Sequence, residues 1–218
     1  MSLSFLKKDI KNKFLDQILF NENLSKYSWF NVGGPAKVIF KPKSLSELSL
    51  FLKSIKGFNK IKVLGVGSNT LIRDGGYNGI IIKLGKSFSH LSVLDNNTII
   101  AGAAAFDKQV SNFAMQNSLA GLEFLSCIPG SIGGAVKMNS GCYERDISKI
   151  LISVQVMDFN GKIKVINAEK INFHYRGSDL DSNLIFVSAT FKVRKESKAI
   201  IEKNMKSLIE KKKKDQPS

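Results

Sequence analysis

The sequence predicts an α+β fold in two subdomains, and three observations support that fold class. A strand–helix–strand pattern opens the chain between residues 36 and 84, which is the order of a βαβ unit. The later part alternates short β-rich runs with turn residues, including Asn160-Gly161, a strong hairpin signal. Glycines also cluster near residues 65 and 130. We expect subdomains at 1–82 and 83–197, followed by a terminal helix at 198–218.

The elements of the first subdomain are predicted from periodicity and from capping residues. The N-terminal helix rests on apolar residues at helical spacing, among them Leu6, Ile10 and Ile18. Ser44 and Glu47 form a capping box, which marks the start of a second helix. The predicted helices are 3–19 and 44–55, and the predicted strands are 36–42, 61–68 and 77–84.

The elements of the second subdomain are predicted from turn signals between apolar runs. An Asp-Asn-Asn turn separates two strands within residues 88–105. Asn160-Gly161 lies between the two strands of a hairpin within residues 150–170. A further strand is predicted at 184–193, and helices are predicted at 106–118 and 198–214. The last helix is amphipathic, with Ile201, Met205 and Leu208 on its apolar face.

Composition argues against several classes of protein. Apolar residues make up 43% of the chain and charged residues 23%, as in ordinary globular proteins. The net charge is +15, but no basic stretch is interleaved with aromatic residues, so we expect no nucleic-acid partner. No apolar run reaches the roughly 18 residues of a membrane span, and the N-terminus has no signal-peptide layout. Cys127 and Cys142 indicate free thiols, a cytoplasmic protein and no metal site.

Two glycine-containing segments are candidates for binding a cofactor. The first follows a strand, and it is either an ordinary turn or a loop whose backbone N–H groups hold a pyrophosphate. It consists of Gly65, Val66, Gly67, Ser68 and Asn69. In the second, glycines clear side chains away from the backbone, which allows either a flat ring or a tightly packed strand to approach. Its candidate residues are Pro129, Gly130, Ser131, Gly133 and Gly134.

Two other segments are weaker candidates. Residues 171–178 are predicted as a strand with Asn172, His174 and Arg176 on one face. An arginine there is either an ordinary exposed residue or a bidentate partner for a carboxylate. In the stretch 27–36, we expect Trp29 and Phe30 to belong to the core.

Taken in chain order, from 27–36 through 65–69 and the glycine-rich segment to 171–178, the four segments resemble the UDP-N-acetylenolpyruvoylglucosamine reductase (MurB) family. The likeness runs over about residues 20–217, and its most specific stretch is GLEFLSCIPGSIGGAVKMNSGCY. The chain is similar to the shorter, type II form of that family. The resemblance implies a two-subdomain FAD-binding module of the vanillyl-alcohol-oxidase type. It also implies non-covalent FAD between the subdomains, with the pyrophosphate on residues 65–69 and the glycine-rich segment passing the flavin.

The resemblance further implies a reaction and a catalytic arginine. NADPH reduces the flavin, which then reduces the enolpyruvyl ether of a UDP-sugar in peptidoglycan synthesis. The family uses an arginine, a glutamate and a serine, and Arg176 matches the arginine in its Tyr-Arg context. The serine's Gly-Ser-Phe-Lys-Asn-Pro stretch and the later glutamate have no match in this sequence.

That difference from the family leads to further expectations. We expect the 218 residues to be an inactive portion of the reductase that lacks a third lobe. The alternative is a non-catalytic FAD-binding module that acts with a partner chain. The complete enzyme is expected to be a monomer. This chain is expected to self-associate, with Ile201, Met205 and Leu208 partly uncovered.

Overall fold

The computed structural model describes residues 8–95 and 97–215, and the chain divides into two compact units. Unit 1 contains the chain up to Ser87, together with Met157–Ile163 and Asn183–Ile185. Unit 2 contains the remainder, from Phe88 onwards. The first stretch of unit 1 therefore ends a few residues beyond the boundary predicted from the sequence. The two short returns of the chain to unit 1 were not predicted.

The first part of unit 1 is a four-stranded sheet with one long helix. Its elements are α1 (Lys8–Lys13), β1 (Ile18–Asn23), β2 (Pro35–Phe40), α2 (Leu45–Ser54), β3 (Ile61–Val63) and β4 (Tyr77–Ile82). The strand order is β1-β2-β4-β3. Strand β1 is antiparallel to β2, whereas β2 and β3 are both parallel to β4. The predicted strand–helix–strand opening is confirmed.

Helix α2 starts at the predicted cap and packs on the sheet. Ser44 Oγ accepts a hydrogen bond of 3.2 Å from the Glu47 N–H, which satisfies one of the free donors of the first turn. The Glu47 carboxylate reaches one residue further back than a capping box requires and accepts from the Lys43 N–H at 2.8 Å. Phe51 of α2 stacks on Phe40 of β2 with ring centroids 3.7 Å apart.

The prediction of a helix at 3–19 is wrong for the second half of that range. Helix α1 ends at Lys13, a 3-10 turn spans Leu15–Gln17, and Ile18 begins strand β1, where it pairs with Phe40. Phe14 packs edge-on against the rings of Phe40 and Phe51. Ile10, Phe14 and Ile18 are buried, whereas Leu15 is exposed, and sheet pairing overrides the helical pattern. Leu6, also used for that prediction, lies outside the described residues.

From Phe88 onwards the chain forms a five-stranded sheet, three helices and several short hairpins. The sheet order is β11-β10-β14-β6-β5. The predicted Asp-Asn-Asn hairpin is confirmed between β5 and β6, which pair in antiparallel fashion. The elements are β5 (Leu91–Asp95), β6 (Thr98–Gly102), α3 (Asp107–Gln116), β7 (Leu119–Ala120), α4 (Ile132–Lys137), β8 (Gly141–Cys142), β9 (Arg145–Asp146), β10 (Leu151–Asp158), β11 (Ile163–Asn167), β12 (Phe173–His174), β13 (Gly177–Ser178), β14 (Leu184–Lys192), β15 (Arg194–Lys195) and α5 (Lys198–Asp215).

Two of the three residues on the apolar face of α5 are buried, contrary to the expectation from the sequence. Ile201 and Met205 are 1% and 6% exposed and form a cluster with Ala120. Leu208 is half-buried. The chain therefore supplies its own partner for Ile201 and Met205, and self-association stays a prediction. Within the described residues, no helix is long and apolar enough to cross a membrane.

Candidate functional site

The loop at residues 65–69 follows β3 and is fixed by contacts within unit 1. Lys83 Nζ donates a hydrogen bond to the Gly65 carbonyl oxygen. Gly67 has a φ of +74°, and a Cβ atom there would lie 2.1 Å from the Tyr27 carbonyl oxygen. Glycine is therefore required at position 67 both for its backbone conformation and for close approach to its own chain. No helix follows the loop directly.

The same loop presents donors that the protein does not use. Within residues 8–95 and 97–215, no acceptor receives the backbone N–H groups of Val66, Gly67 or Ser68. Successive free N–H groups in a loop form a concavity that binds anions. The loop is thus suited to hold a phosphate or pyrophosphate group.

Trp29 and Phe30 are not core residues, so that prediction is wrong. They are 59% and 56% exposed. The segment is held by its backbone instead, since the Trp29 N–H donates to the Gly67 carbonyl oxygen at 3.1 Å. Large aromatic residues are usually well buried, and nothing in the local sequence indicates this exposure.

The glycine-rich segment after residue 128 is held along residues 103–107 by backbone hydrogen bonds. The N–H groups of Gly133 and Ile132 donate to the carbonyl oxygens of Ala103 and Ala105 at 2.9 and 3.0 Å. The Asp107 N–H donates to the Gly130 carbonyl oxygen at 3.1 Å. Ser131 forms an isolated antiparallel bridge with Phe106, and the first two residues of α4 bond to the same stretch.

The glycines of this segment have different surroundings. A Cβ atom on Gly133 would lie 3.2 Å from the Cβ of Ala103 and 3.6 Å from that of Phe186. A Cβ atom on Gly134 would meet nothing within 4 Å, and Gly134 is exposed. Gly133 thus allows close packing within the protein, whereas Gly134 leaves bare backbone open to a ligand. Pro129 is exposed and Ser131 is buried, immediately before α4.

Arg176 lies in a tight turn, not on the face of a strand as predicted. Strands β12 and β13 pair as a two-residue ladder, and Tyr175 and Arg176 connect them. Arg176 has a φ of +58°, a left-handed conformation that is uncommon for non-glycine residues. The predicted alternation of Asn172, His174 and Arg176 on one face is therefore lost. Alternating residues predict a strand only while the chain stays extended.

The Arg176 side chain is exposed and makes two contacts. One guanidinium nitrogen, Nη1, donates to the Gly141 carbonyl oxygen at 3.1 Å. The guanidinium carbon lies 5.2 Å from the centroid of the Tyr175 ring. The first contact joins Arg176 to strand β8, a few residues after the glycine-rich segment.

The Arg176 hairpin is also tied to the end of α4. Asn139 Nδ2 donates to the His174 carbonyl oxygen at 3.2 Å, and Ser178 Oγ donates to the Lys137 carbonyl oxygen at 3.3 Å. Lys137 Nζ donates to the Leu180 carbonyl oxygen. Two segments that are far apart in sequence, 128–141 and 173–180, are therefore brought together within unit 2.

Two residues near these segments, Lys83 and Asp107, were not predicted as site residues from the sequence. Lys83 is half-buried. Burial is the main cause that lowers its pKa, and the positive charge of Lys41 lowers it further. Asp107 is fully buried beside Gly130. No sequence signal marks Lys83, since it resembles any lysine at the end of a strand. Asp107, at the start of α3, looks like an ordinary helix-start residue. No group of three His, Cys, Asp or Glu side chains suited to a metal lies within the described ranges.

Known proteins match this chain along most of its length. Residues 36–167 match the FAD binding domain family. A UDP-N-acetylenolpyruvoylglucosamine reductase of Pelagibacter ubique is 47% identical over 218 residues, which is 100% of this chain and 72% of that protein. One from a Caulobacter species is 40% identical over 92% of this chain and 66% of that protein.

Solved structures share the fold. The UDP-N-acetylenolpyruvylglucosamine reductase (MurB) of Thermus caldophilus has a TM-score of 0.80 at 29% identity, over 93% of this chain and 70% of that chain. An alkyldihydroxyacetonephosphate synthase has a TM-score of 0.63 at 16% identity, over 89% of this chain and 42% of that chain. The second likeness shows the fold alone.

The chain belongs to the UDP-N-acetylenolpyruvoylglucosamine reductase family. Its predicted fold class, an α+β FAD-binding module of the vanillyl-alcohol-oxidase type, is confirmed. The chain spans 72% and 66% of the length of the two relatives described above. All the predicted site residues except Arg176 lie inside the match to the FAD binding domain.

Proposed function

We propose that this chain carries the FAD-binding portion of an NADPH-dependent reductase that converts UDP-N-acetylglucosamine enolpyruvate to UDP-N-acetylmuramate. The observation that carries the proposal is the 47% identity to a reductase of this family over the whole chain. The product is a peptidoglycan precursor, and we expect the reaction to occur in the cytoplasm. We expect the complete enzyme to be a monomer.

The residues of the two glycine-containing segments fit non-covalent FAD. Free N–H groups at Val66, Gly67 and Ser68 suit the pyrophosphate. Open backbone at Gly134 allows a flat ring to approach without meeting a side chain. A bound FAD would supply the chemistry of hydride transfer between NADPH and the enolpyruvyl group. The protein's share of this step is to hold the cofactor and to orient the substrate.

Arg176 is proposed to stabilise the substrate carboxylate. As the enolpyruvyl group takes the hydride, negative charge develops beside the carboxylate, and a cation there lowers the barrier. A guanidinium has five N–H donors, and the bond to the Gly141 carbonyl oxygen uses one of them. The remaining donors allow a bidentate grip, while the bond to Gly141 limits rotation of the side chain.

The test of Arg176 uses Arg176→Lys in a chimera. The chimera is the Pelagibacter ubique reductase with its matching part replaced by these 218 residues. Lysine keeps the charge but loses the bidentate geometry, so oxidation of the flavin by the substrate is expected to slow about 10²–10³-fold. Stopped-flow absorbance measures each half-reaction separately. Reduction by NADPH should change little, and equal slowing of both half-reactions would show a structural role for Arg176.

A second candidate function is a non-catalytic FAD-binding module that works with a partner chain. It is supported by the match of residues 36–167 to the FAD binding domain family, which implies a bound cofactor but no particular reaction. The test is anaerobic NADPH oxidation, with and without the enolpyruvyl substrate, by the 218-residue chain and by the chimera. We expect the chain to bind FAD without substrate-dependent turnover and the chimera to turn over. FAD binding by both proteins, with no turnover by either, would favour the module.

A further inference from the structure

Asp107 is a buried carboxyl group that the proposed reaction does not use. Its side chain is 0% exposed. Within the part of the chain that the structure describes, neither carboxylate oxygen has a hydrogen-bond partner. Buried polar groups are nearly always hydrogen-bonded, so each exception requires an explanation. A buried, unpaired negative charge is more costly still.

Both the backbone and the side chain of Asp107 contact the glycine-rich segment at the same residue. The Asp107 N–H donates to the Gly130 carbonyl oxygen at 3.1 Å. A Cβ atom on Gly130 would lie 2.5 Å from Asp107 Oδ2, so the carboxyl group occupies the space that a side chain at position 130 would need. Glycine at 130 and the buried carboxyl group therefore form one arrangement. In the sequence, Gly130 lies between two exposed residues, Pro129 and Gly134.

Burial alone raises the pKa of Asp107 to about 8, with no contribution from a charged group. On α3 itself the neighbouring charge is Lys108, which is exposed. The Glu123 carboxylate accepts from the Gly121 N–H, Lys206 pairs with Glu202, and Lys212 donates to the Cys127 carbonyl oxygen. Neither β7 nor residues 128–131 carry an ionisable side chain. The group is thus a neutral acid at neutral pH, held so by its apolar surroundings.

We propose that Asp107 is a positioning residue for FAD, and that its buried carboxyl group, packed against Gly130, keeps residues 129–131 in the shape that FAD requires. The inference rests on the proposed FAD-binding function. When the carboxyl group ionises, the charge cannot remain unpaired beside Gly130. The group must reach water or a donor, and the backbone hydrogen bond between Asp107 and Gly130 moves with it. FAD binding therefore depends on one proton that is held inside the protein.

The test measures FAD affinity against pH for the purified chain, through the change in flavin fluorescence. For the parent protein, affinity should be constant up to about pH 8 and then fall about tenfold per pH unit, since one proton is linked to binding. Asp107→Asn keeps the shape without an ionisable group and should give a flat profile. Glu169→Gln, at an exposed site, should keep the parent profile.

A second readout needs no cofactor. The pKa of Asp107 lies above its ordinary value, so between pH 3.8 and about 8 the folded state holds a proton that the unfolded state has lost. The unfolding midpoint of the parent should therefore fall as pH rises through this window. In Asp107→Asn this part of the slope should be absent. The infrared band of a protonated carboxyl group should be present in the parent at neutral pH and absent from the variant.

The outcomes separate this inference from the proposed function. A parent protein that binds no FAD at any pH would overturn both. A parent that binds FAD with a flat profile, or with the same profile as Asp107→Asn, would overturn the inference alone. If Asp107→Asn does not fold, the pH profile and the infrared band of the parent decide. Lack of a protonated carboxyl band at neutral pH would then overturn the inference.

Discussion

The loop at residues 65–69 and the segment at residues 129–134 are both rich in glycine, but they use it differently. In the loop, Gly67 adopts a left-handed conformation against the Tyr27 carbonyl oxygen, and successive N–H groups have no acceptor within the described chain. In the segment, the N–H groups of Ile132 and Gly133 are bonded to residues 103–105. The loop therefore offers donors, whereas the segment offers a well-held surface.

This difference shows that a cluster of glycines has no single meaning. Close approach within the protein explains why Gly67, Gly130 and Gly133 are glycines. A Cβ atom at any of these positions would lie too near another part of the same unit. Gly134 alone among the segment's three glycines faces open space. Only an open position has room for a ligand, so the role of each glycine depends on what lies beside it.

The largest expected effect is that of Gly67→Ala on the loop. The new Cβ would meet a backbone oxygen at 2.1 Å, and the φ of +74° is unfavourable for alanine. We expect a loss of about 3 kcal/mol or more in the free energy of unfolding, with loss of FAD binding. Urea unfolding measures the first, and flavin fluorescence the second.

The matched control is Gly75→Ala, since a Cβ atom there meets nothing within 4 Å. It should keep the parent's stability within about 0.5 kcal/mol. If the two variants prove equally stable, the structural account of the loop is wrong.

A smaller effect is expected from paired changes in the segment. Gly133→Val should overpack against Ala103 and Phe186 and cost about 1–3 kcal/mol of stability. Gly134→Ala should leave stability unchanged or slightly raised, because alanine favours a helix, while FAD affinity falls. The pair thus separates packing from ligand contact by comparing unfolding with FAD titration. The opposite result would be unchanged FAD affinity in Gly134→Ala and a stable Gly133→Val protein that does not bind FAD. It would mean that Gly133 contacts the ligand and Gly134 does not.

The smallest expected effect is that of Lys83→Met. Loss of the hydrogen bond from Lys83 to the Gly65 carbonyl oxygen should cost about 1 kcal/mol in binding, or about fivefold in the FAD dissociation constant. Lys62→Met removes one positive charge from an exposed site on β3 and serves as the control. Equal weakening in both variants would mean that overall charge, not the position of the loop, is responsible.

Much of the fold and part of the site could be predicted from the sequence. Strand β2, helix α2 with its Ser44 cap, and the hairpins at Asp95 and Asn160-Gly161 follow from local periodicity and turn chemistry. These signals act over a few residues and need no distant partner. The order of four short motifs also indicated the family, because a motif is recognised from its residues alone and requires no knowledge of tertiary contacts.

Other features were decided only by the tertiary structure. Pairing with Phe40 turns Ile18 from a helical residue into a strand residue, and a hairpin turn takes Arg176 away from the face shared with His174. Ala103 and Phe186 determine that Gly133 is a packing glycine. Burial beside Gly130 raises the pKa of Asp107, which in isolation is an ordinary acidic residue. Each of these outcomes depends on residues far along the chain, since burial, register and desolvation arise only when those residues meet.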